Sequence, residues 1–189
     1  MYHIREYQER DREKVRAICL ATGPQTEELY PGIRKALCTV FCDYYIEEEP
    51  ENCFVAVDEQ DEAQGYILCA GNWSVWARRF RTEYLEKGDQ PIARAMGEAT
   101  IRTLEKFAER YPAHLHIDLL PQAQGQGAGS RLIRTLEKHL CDEGVWGLCL
   151  CVAADNTGAR LFYQKNGFTE LLCEGKEVVM GKTLEAERA

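Results

Sequence analysis

Leu119–Glu137 reads LLPQAQGQGAGSRLIRTLE. Upstream, the apolar run Leu115, Ile117, Leu119, Leu120 stops at Pro121; downstream, Leu132, Ile133 and Leu136 recur at helical spacing. Between them lies Gln124-Gly125-Gln126-Gly127-Ala128-Gly129-Ser130. The stretch predicts a strand, a glycine loop, and a helix under way by Arg131. Glycines permit backbone conformations that aim several N–H groups at one point, and a new helix adds unpaired N–H groups and the positive end of its dipole. Such a turn suits a phosphate or pyrophosphate, and it also serves as a tight strand-to-helix connection.

Two nucleotide-binding patterns fail on this loop. GxxxxGK[ST] is absent, and a dinucleotide GxGxxG would need glycine where Ser130 stands. What remains, Gln124-x-x-Gly127-x-Gly129, resembles the acetyl-CoA pyrophosphate loop of the GNAT N-acetyltransferase superfamily, (Arg/Gln)-x-x-Gly-x-(Gly/Ala). Further along, Asp155-Asn156-Thr157-Gly158-Ala159-Arg160-Leu161-Phe162-Tyr163-Gln164-Lys165-Asn166-Gly167-Phe168 is similar to that superfamily's second motif: an asparagine cap, Ala159, Phe162-Tyr163, then Asn166-Gly167-Phe168. With their flanking strands the two motifs cover residues 113–182.

At 189 residues the chain has the size of one domain. Its 31 acidic and 23 basic residues give a net charge of −8, which disfavours nucleic-acid phosphates and anionic membrane surfaces as partners. Glu47-Glu48-Glu49-Pro50-Glu51 reads as a solvated loop, with steering of a cation as the alternative. The nine cysteines are odd in number, scattered, and contain no CxxC. They read as free, mostly buried thiols in a reducing compartment, and no metal site is expected. No apolar leader or membrane-length apolar run occurs, so a cytoplasmic protein is expected.

Tyr2, Ile4 and Tyr7 suggest an opening strand. Asp11 reads as the cap of a helix carrying Val15, Ile18 and Cys19 and ended by Thr22-Gly23-Pro24. Ile33–Ile46 has a broad apolar face. Cys53–Val57 and Gly65–Ala70 flank the polar turn 58–62 and read as a hairpin. Trp73–Tyr84 reads as an amphipathic helix with Trp73, Trp76 and Phe80 in the core or, alternatively, as a substrate platform. Gly88–Pro91 breaks the chain, and helical pattern resumes over Ile92–Ala108. Ala113–Leu120 and Trp146–Val152 read as strands; a helix capped by Asp155 or Asn156 runs to Asn166-Gly167; Phe168–Cys173 and Val178–Met180 close the chain as a hairpin. Residues 184–189 form a polar tail.

The resemblance implies an α/β (α+β) acyl-CoA N-acyltransferase fold, with a mixed, mostly antiparallel sheet of about six or seven strands flanked by helices, filling residues 1–183 as one domain. The inserted helical segment before the cofactor strand is similar to GNAT-like proteins related to the acetyltransferase-like domain of O-GlcNAcases. The implied activity is transfer of an acetyl group from acetyl-CoA to a primary amine of a small molecule or protein. The alternative is a catalytically degenerate CoA-binding or protein-interaction module.

On this resemblance the cofactor strand parts from its neighbour near Leu119, freeing backbone at Asp118, Leu119 and Leu120 for the pantetheine arm. Gln124, Gly125, Gln126, Gly127, Ala128, Gly129 and Ser130 would hold the pyrophosphate, and Asn156 would touch the pantetheine. Lys165 would approach a CoA phosphate or simply favour the helix end. Tyr163 matches the general acid at the CoA sulfur. The general base stays open among Asp118, His116, Glu98 and water. Tyr30, Tyr44, Tyr45, Trp73 and Trp76 are candidates for an aromatic acceptor pocket. The acceptor itself and the oligomeric state stay open, homodimers being common in the superfamily.

Overall fold

The computed structural model describes residues 2–23 and 32–184; Met1, the Pro24 helix stop, Tyr30 and residues 185–189 of the expected tail lie outside the described residues. Leu184, expected as the start of that tail, is buried in the core and donates its N–H to the Trp146 carbonyl at 2.9 Å. Seven strands, β1 (His3–Glu6), β2 (Phe54–Val57), β3 (Ala63–Ala70), β4 (Ala113–Leu119), β5 (Gly147–Ala153), β6 (Thr169–Glu174) and β7 (Glu177–Thr183), form one sheet in the order β1-β2-β3-β4-β5-β7-β6. Every neighbouring pair is antiparallel except β4–β5, which is parallel. The expected mixed, mostly antiparallel sheet is therefore present, and β7 enters between β5 and β6.

Helices cover both faces. On one lie α1 (Arg12–Thr22), α2 (Ile33–Cys38), α3 (Tyr44–Glu48), α4 (Trp73–Arg79) and α5 (Pro91–Glu105), packed over Tyr66, Leu68 and Cys149. On the other lie α6 (Ala128–Asp142) and α7 (Thr157–Lys165), over Ile67, Leu115, Leu148 and Leu150. Alternation along β4 thus sends His114, His116 and Asp118 to the α1–α5 side and Leu115, Ile117 and Leu119 to the α6–α7 side.

Several boundaries differ from the sequence reading for physical reasons. Helix α6 opens at Ala128, three residues before Arg131, because Gly127 takes the left-handed conformation (φ 75°) at its cap. Pro91, read as a breaker, is the first residue of α5, where its missing N–H costs nothing. Asp11 does not cap α1; its carboxylate accepts from the Gln8 N–H at 2.9 Å and forms a two-pronged ion pair with Arg5 at 2.6 and 2.9 Å. The long second helix is interrupted by a π-helical turn, Thr39–Asp43, and a second π-helical stretch, Phe80–Glu86, follows α4. The wider turn lets Val40, Cys42, Tyr44 and Tyr45 all be buried while Phe41 stays half-buried.

Trp76 and Phe80 are fully buried and stack at 5.3 Å, so the core reading of that helix holds. None of the nine cysteines is in a disulfide; Cys173 is exposed and Cys141 and Cys151 are half-buried. Among the described residues no helix is long and apolar enough to cross a membrane, and no cluster of three or more His, Cys, Asp or Glu could hold a metal ion.

Candidate active site

Strands β4 and β5 pair only at Ala113↔Leu148 and His114↔Cys149, then separate. The last paired residue of β4 is His114, five residues before Leu119, the position expected from the sequence. Two cavities occupy the gap. The larger, about 640 Å³, lies on the α6–α7 side and is lined by Ile117, Leu119, Gln124, the glycines 125, 127 and 129, Ser130, Asn156, Gly158, Phe162 and Tyr163. Asp118 and Thr22 reach it from the opposite side of the sheet. The smaller, about 240 Å³, lies on the α5 side and includes Phe41, Thr100, Leu104, His114 and His116 together with Leu150 and Val152 of the other face. Val152 belongs to both. The parted strands therefore leave a cavity on each face, with Val152 as a wall common to both.

The turn after β4 supplies the larger cavity's donors. Gly125 and Gly127 adopt φ of 72° and 75°, and a Cβ on either would meet nothing within 4 Å. The space over this turn is open, and the first N–H groups of α6 have no partner inside the helix. Gly129 differs: a Cβ there would stand 3.0 Å from the Phe162 ring, so its smallness lets α6 and α7 approach. Asn156 caps α7 by accepting from the Ala159 N–H at 3.1 Å.

The β4 edge is less open than expected. The Leu120 N–H donates to the Gln64 carbonyl at 2.9 Å and its carbonyl accepts from Ala123 N–H at 2.8 Å, so both of its backbone groups are engaged and Leu120 drops out of the site. By alternation, the Asp118 backbone also turns toward β3, and the groups facing the gap belong to Ile117 and Leu119. The Leu119 carbonyl accepts from the Gln124 side chain at 2.9 Å, and Gln126 reaches back to the Gln122 carbonyl at 2.8 Å. These glutamines brace the loop. Lys165 is exposed at the far end of α7 and does not line the cavity.

Tyr163 is 8% exposed, packed against Phe162 and Phe168, and lines the cavity. Burial and then the nearby Asp118 charge push its phenol up, so it keeps its proton at neutral pH. Asp118 accepts a 2.6 Å hydrogen bond from Tyr66, its direct cross-strand neighbour. Burial raises its carboxyl to about 6, against the stabilising bond from Tyr66. It is mostly ionised at pH 7 yet far more basic than an ordinary aspartate.

His116 and His114 share one partner. The Tyr45 hydroxyl lies 2.9 Å from His114 Nε2 and 3.0 Å from His116 Nε2. One hydroxyl proton can serve only one ring. His114 Nδ1 is buried without a partner, and an orphan N–H there is rarer and costlier than an orphan lone pair. By this logic His114 carries its proton on Nε2 and donates to Tyr45, Tyr45 donates to His116 Nε2, and His116 is protonated on Nδ1. Burial lowers His116 to about 4, so it is neutral and its Nε2 lone pair is occupied.

Other candidates fall away on geometry. Glu98 is clamped by Arg81 at 2.8 and 3.0 Å and lines neither cavity. Tyr44, Tyr45 and Trp76 are fully buried in the core, so the expected aromatic acceptor pocket is not built from them. Glu47 pairs with Arg12 at 2.6 Å, Glu48 with Arg79 at 3.1 Å, and Glu49 accepts from Gly71 N–H, Asn52 and Tyr44. Residues the sequence reading passed over are Phe41, Thr22, Tyr66, Val152 and Gly158.

Residues 16–168 match the acetyltransferase (GNAT) family. The crystal structure of SsHAT is 30% identical, covers 97% of this chain and 98% of its own, and superimposes with a TM-score of 0.87. PaiA N-acetyltransferase from Thermoplasma acidophilum, solved in complex with coenzyme A, shares the fold at 16% identity over 97% of this chain and 99% of its own, with a TM-score of 0.61. The mycothiol acetyltransferase of Paenarthrobacter aurescens (strain TC1) is 44% identical over 52 residues, 28% of this chain and 16% of that protein.

Proposed function

The chain is an N-acetyltransferase of the GNAT family, and from that premise we propose that it moves the acetyl group of acetyl-CoA directly to a primary amine through a passage between β4 and β5. One observation carries the reading: the parted strands put the buried phenol of Tyr163 and the carboxylate of Asp118 on the same opening, beside a glycine turn with open space above it. We read residues 1–183 as the one domain that does this.

Acetyl-CoA supplies the activated acyl group and leaves as the thiol. Gly125, Gly127 and the first turn of α6 fit its pyrophosphate, since a Cβ on either glycine would meet nothing within 4 Å and the first N–H groups of the helix have no partner inside it. Ile117 and Leu119 offer the strand edge for the pantetheine, and Asn156 stands at the same wall. In this mechanism Asp118 takes the amine proton, directly or by a water, and Tyr163 returns a proton to the departing sulfur. Tyr66 holds Asp118 in place. The smaller cavity receives the acceptor from the α5 side. His116 is the weaker base candidate because its free lone pair is spent on Tyr45.

Calorimetric titration with acetyl-CoA tests this, with Gly127→Trp and Gly158→Trp as controls. Gly158 is the cleaner of the two: its φ is ordinary and a Cβ meets only Asn156 Oδ1, at 3.9 Å, so a bulky side chain enters the cavity without straining the backbone. Expected is saturable binding that both variants abolish while keeping a cooperative melt. Absence of binding by the unmodified protein overturns the proposal; binding without thiol release on any amine reduces it to a CoA-binding module.

A further inference from the structure

The acceptor site bears on which amine can enter, an argument that rests on the passage reading above. The walls of the 240 Å³ cavity are apolar on several sides, with Phe41 from the π-helical turn, Leu104 from α5 and Val152 from β5. Its two interior imidazoles, His114 and His116, are both held in neutral tautomers by the one Tyr45 hydroxyl. The charged residues on its lining are Lys176 and Glu177, both exposed, adjacent in sequence and opposite in sign. Besides the exposed Glu177, the nearest carboxylate is Asp118, which follows His116 on the same face of β4 and lines the larger cavity, with which this one shares Val152.

We propose that this cavity selects small primary monoamines carried on a compact apolar body, and rejects di- and polyamines. One ammonium can be met and deprotonated at the inner end by Asp118. A second cation would be held against Phe41 and Leu104 with no carboxylate to pair with, and an unpaired buried charge is among the costliest things a site can hold. The apolar body of a monoamine instead replaces water against those same walls and gains by doing so. Reaching Glu177 would require a second cation to sit at that exposed position, where water screens the pairing and leaves it worth little.

The experiment compares 3-methylbutylamine and 2-phenylethylamine with agmatine and spermidine, at saturating acetyl-CoA, by thiol release. Occupancy is read separately from the imidazole NMR signal of His116, with and without acetyl-CoA. Expected is a kcat/KM at least tenfold higher for the two monoamines, and a His116 shift with monoamines alone. Thr100→Glu, which adds a carboxylate to a half-buried position on the cavity wall, should narrow that ratio in favour of agmatine. Equal or better turnover of agmatine or spermidine by the unmodified enzyme overturns the selectivity. So does acetyl-CoA binding with no His116 response to either monoamine. Failure of acetyl-CoA to bind would instead sink the transfer reading, and the His116 signal would still report whether monoamines enter.

Discussion

Tyr45 reaches from α3 across the core to lay its hydroxyl 3.0 Å from His116 Nε2 on β4. The same oxygen is 2.9 Å from His114, so a single proton sets the tautomers of two rings. Tyr45→Phe should cost roughly 1–3 kcal/mol, because it strips two buried nitrogens of their partner. Nitrogen-15 spectra should show His114 as the Nε2–H form and His116 as the Nδ1–H form in the unmodified protein, with His116 losing that preference in the variant. Acetyl-CoA affinity should stay within about twofold. The opposite tautomers in the unmodified protein would return His116 to candidacy as the base.

Asp118→Asn separates chemistry from stability. The folded carboxyl sits at about 6, above its ordinary 3.8, so the folded state binds a proton more readily than the unfolded chain between those values. Stability therefore falls as pH rises through that window, and the ionised group is a full liability above it. The asparagine variant escapes this and should be more stable at pH 8 by roughly 2–3 kcal/mol, with the gain fading toward pH 4. Its kcat should drop by about 10²-fold or more. Turnover by the unmodified enzyme should decline as pH falls through about 6. A variant that is less stable at pH 8 would contradict the assignment of the shift to burial.

Tyr163→Phe should lower kcat by about 10²–10⁴-fold with little change in the KM for acetyl-CoA, since only the proton is removed from a ring that Phe162 and Phe168 already pack. The phenol is raised in the folded protein, so the residual alkaline limb of the pH profile should be the same in both enzymes. Unchanged kcat would remove Tyr163 from the mechanism.

Cys173 is the one exposed thiol of nine. An aromatic disulfide reagent should modify one equivalent quickly in the folded state and the remainder only on denaturation. Fast release of more than one equivalent would show that the half-buried Cys141 and Cys151 are open as well. The same reagent reports thiol release, so Cys173→Ser should lower the assay background without touching the rate.

The cofactor half was legible in the sequence because its constraints are local. Gly127 must adopt positive φ, Asn156 must cap a helix, and a strand must end where Pro121 stands; each is a statement about neighbours in the chain. His116 and Asp118 were legible as one face of one strand by alternation alone. Their roles were not, because Tyr45 lies 71 residues from His116 and Tyr66 lies 52 from Asp118, and only the folded sheet brings these partners together. For the same reason Glu98 looked available until Arg81 closed on it, and Tyr44 looked like a pocket wall until four aromatic neighbours enclosed it. Leu120 was misplaced by one residue of register, enough to turn its backbone from the gap into the loop.

A sheet whose β4 and β5 share only two residue pairs is an unfinished sheet. If the pantetheine lies along Ile117 and Leu119, the reactant serves as the missing strand, and each round of catalysis removes and replaces a structural member of the protein. The lifetime of the folded chain would then follow the cell's supply of acyl-CoA, so that scarcity of the reactant would thin the enzyme as well as slow it.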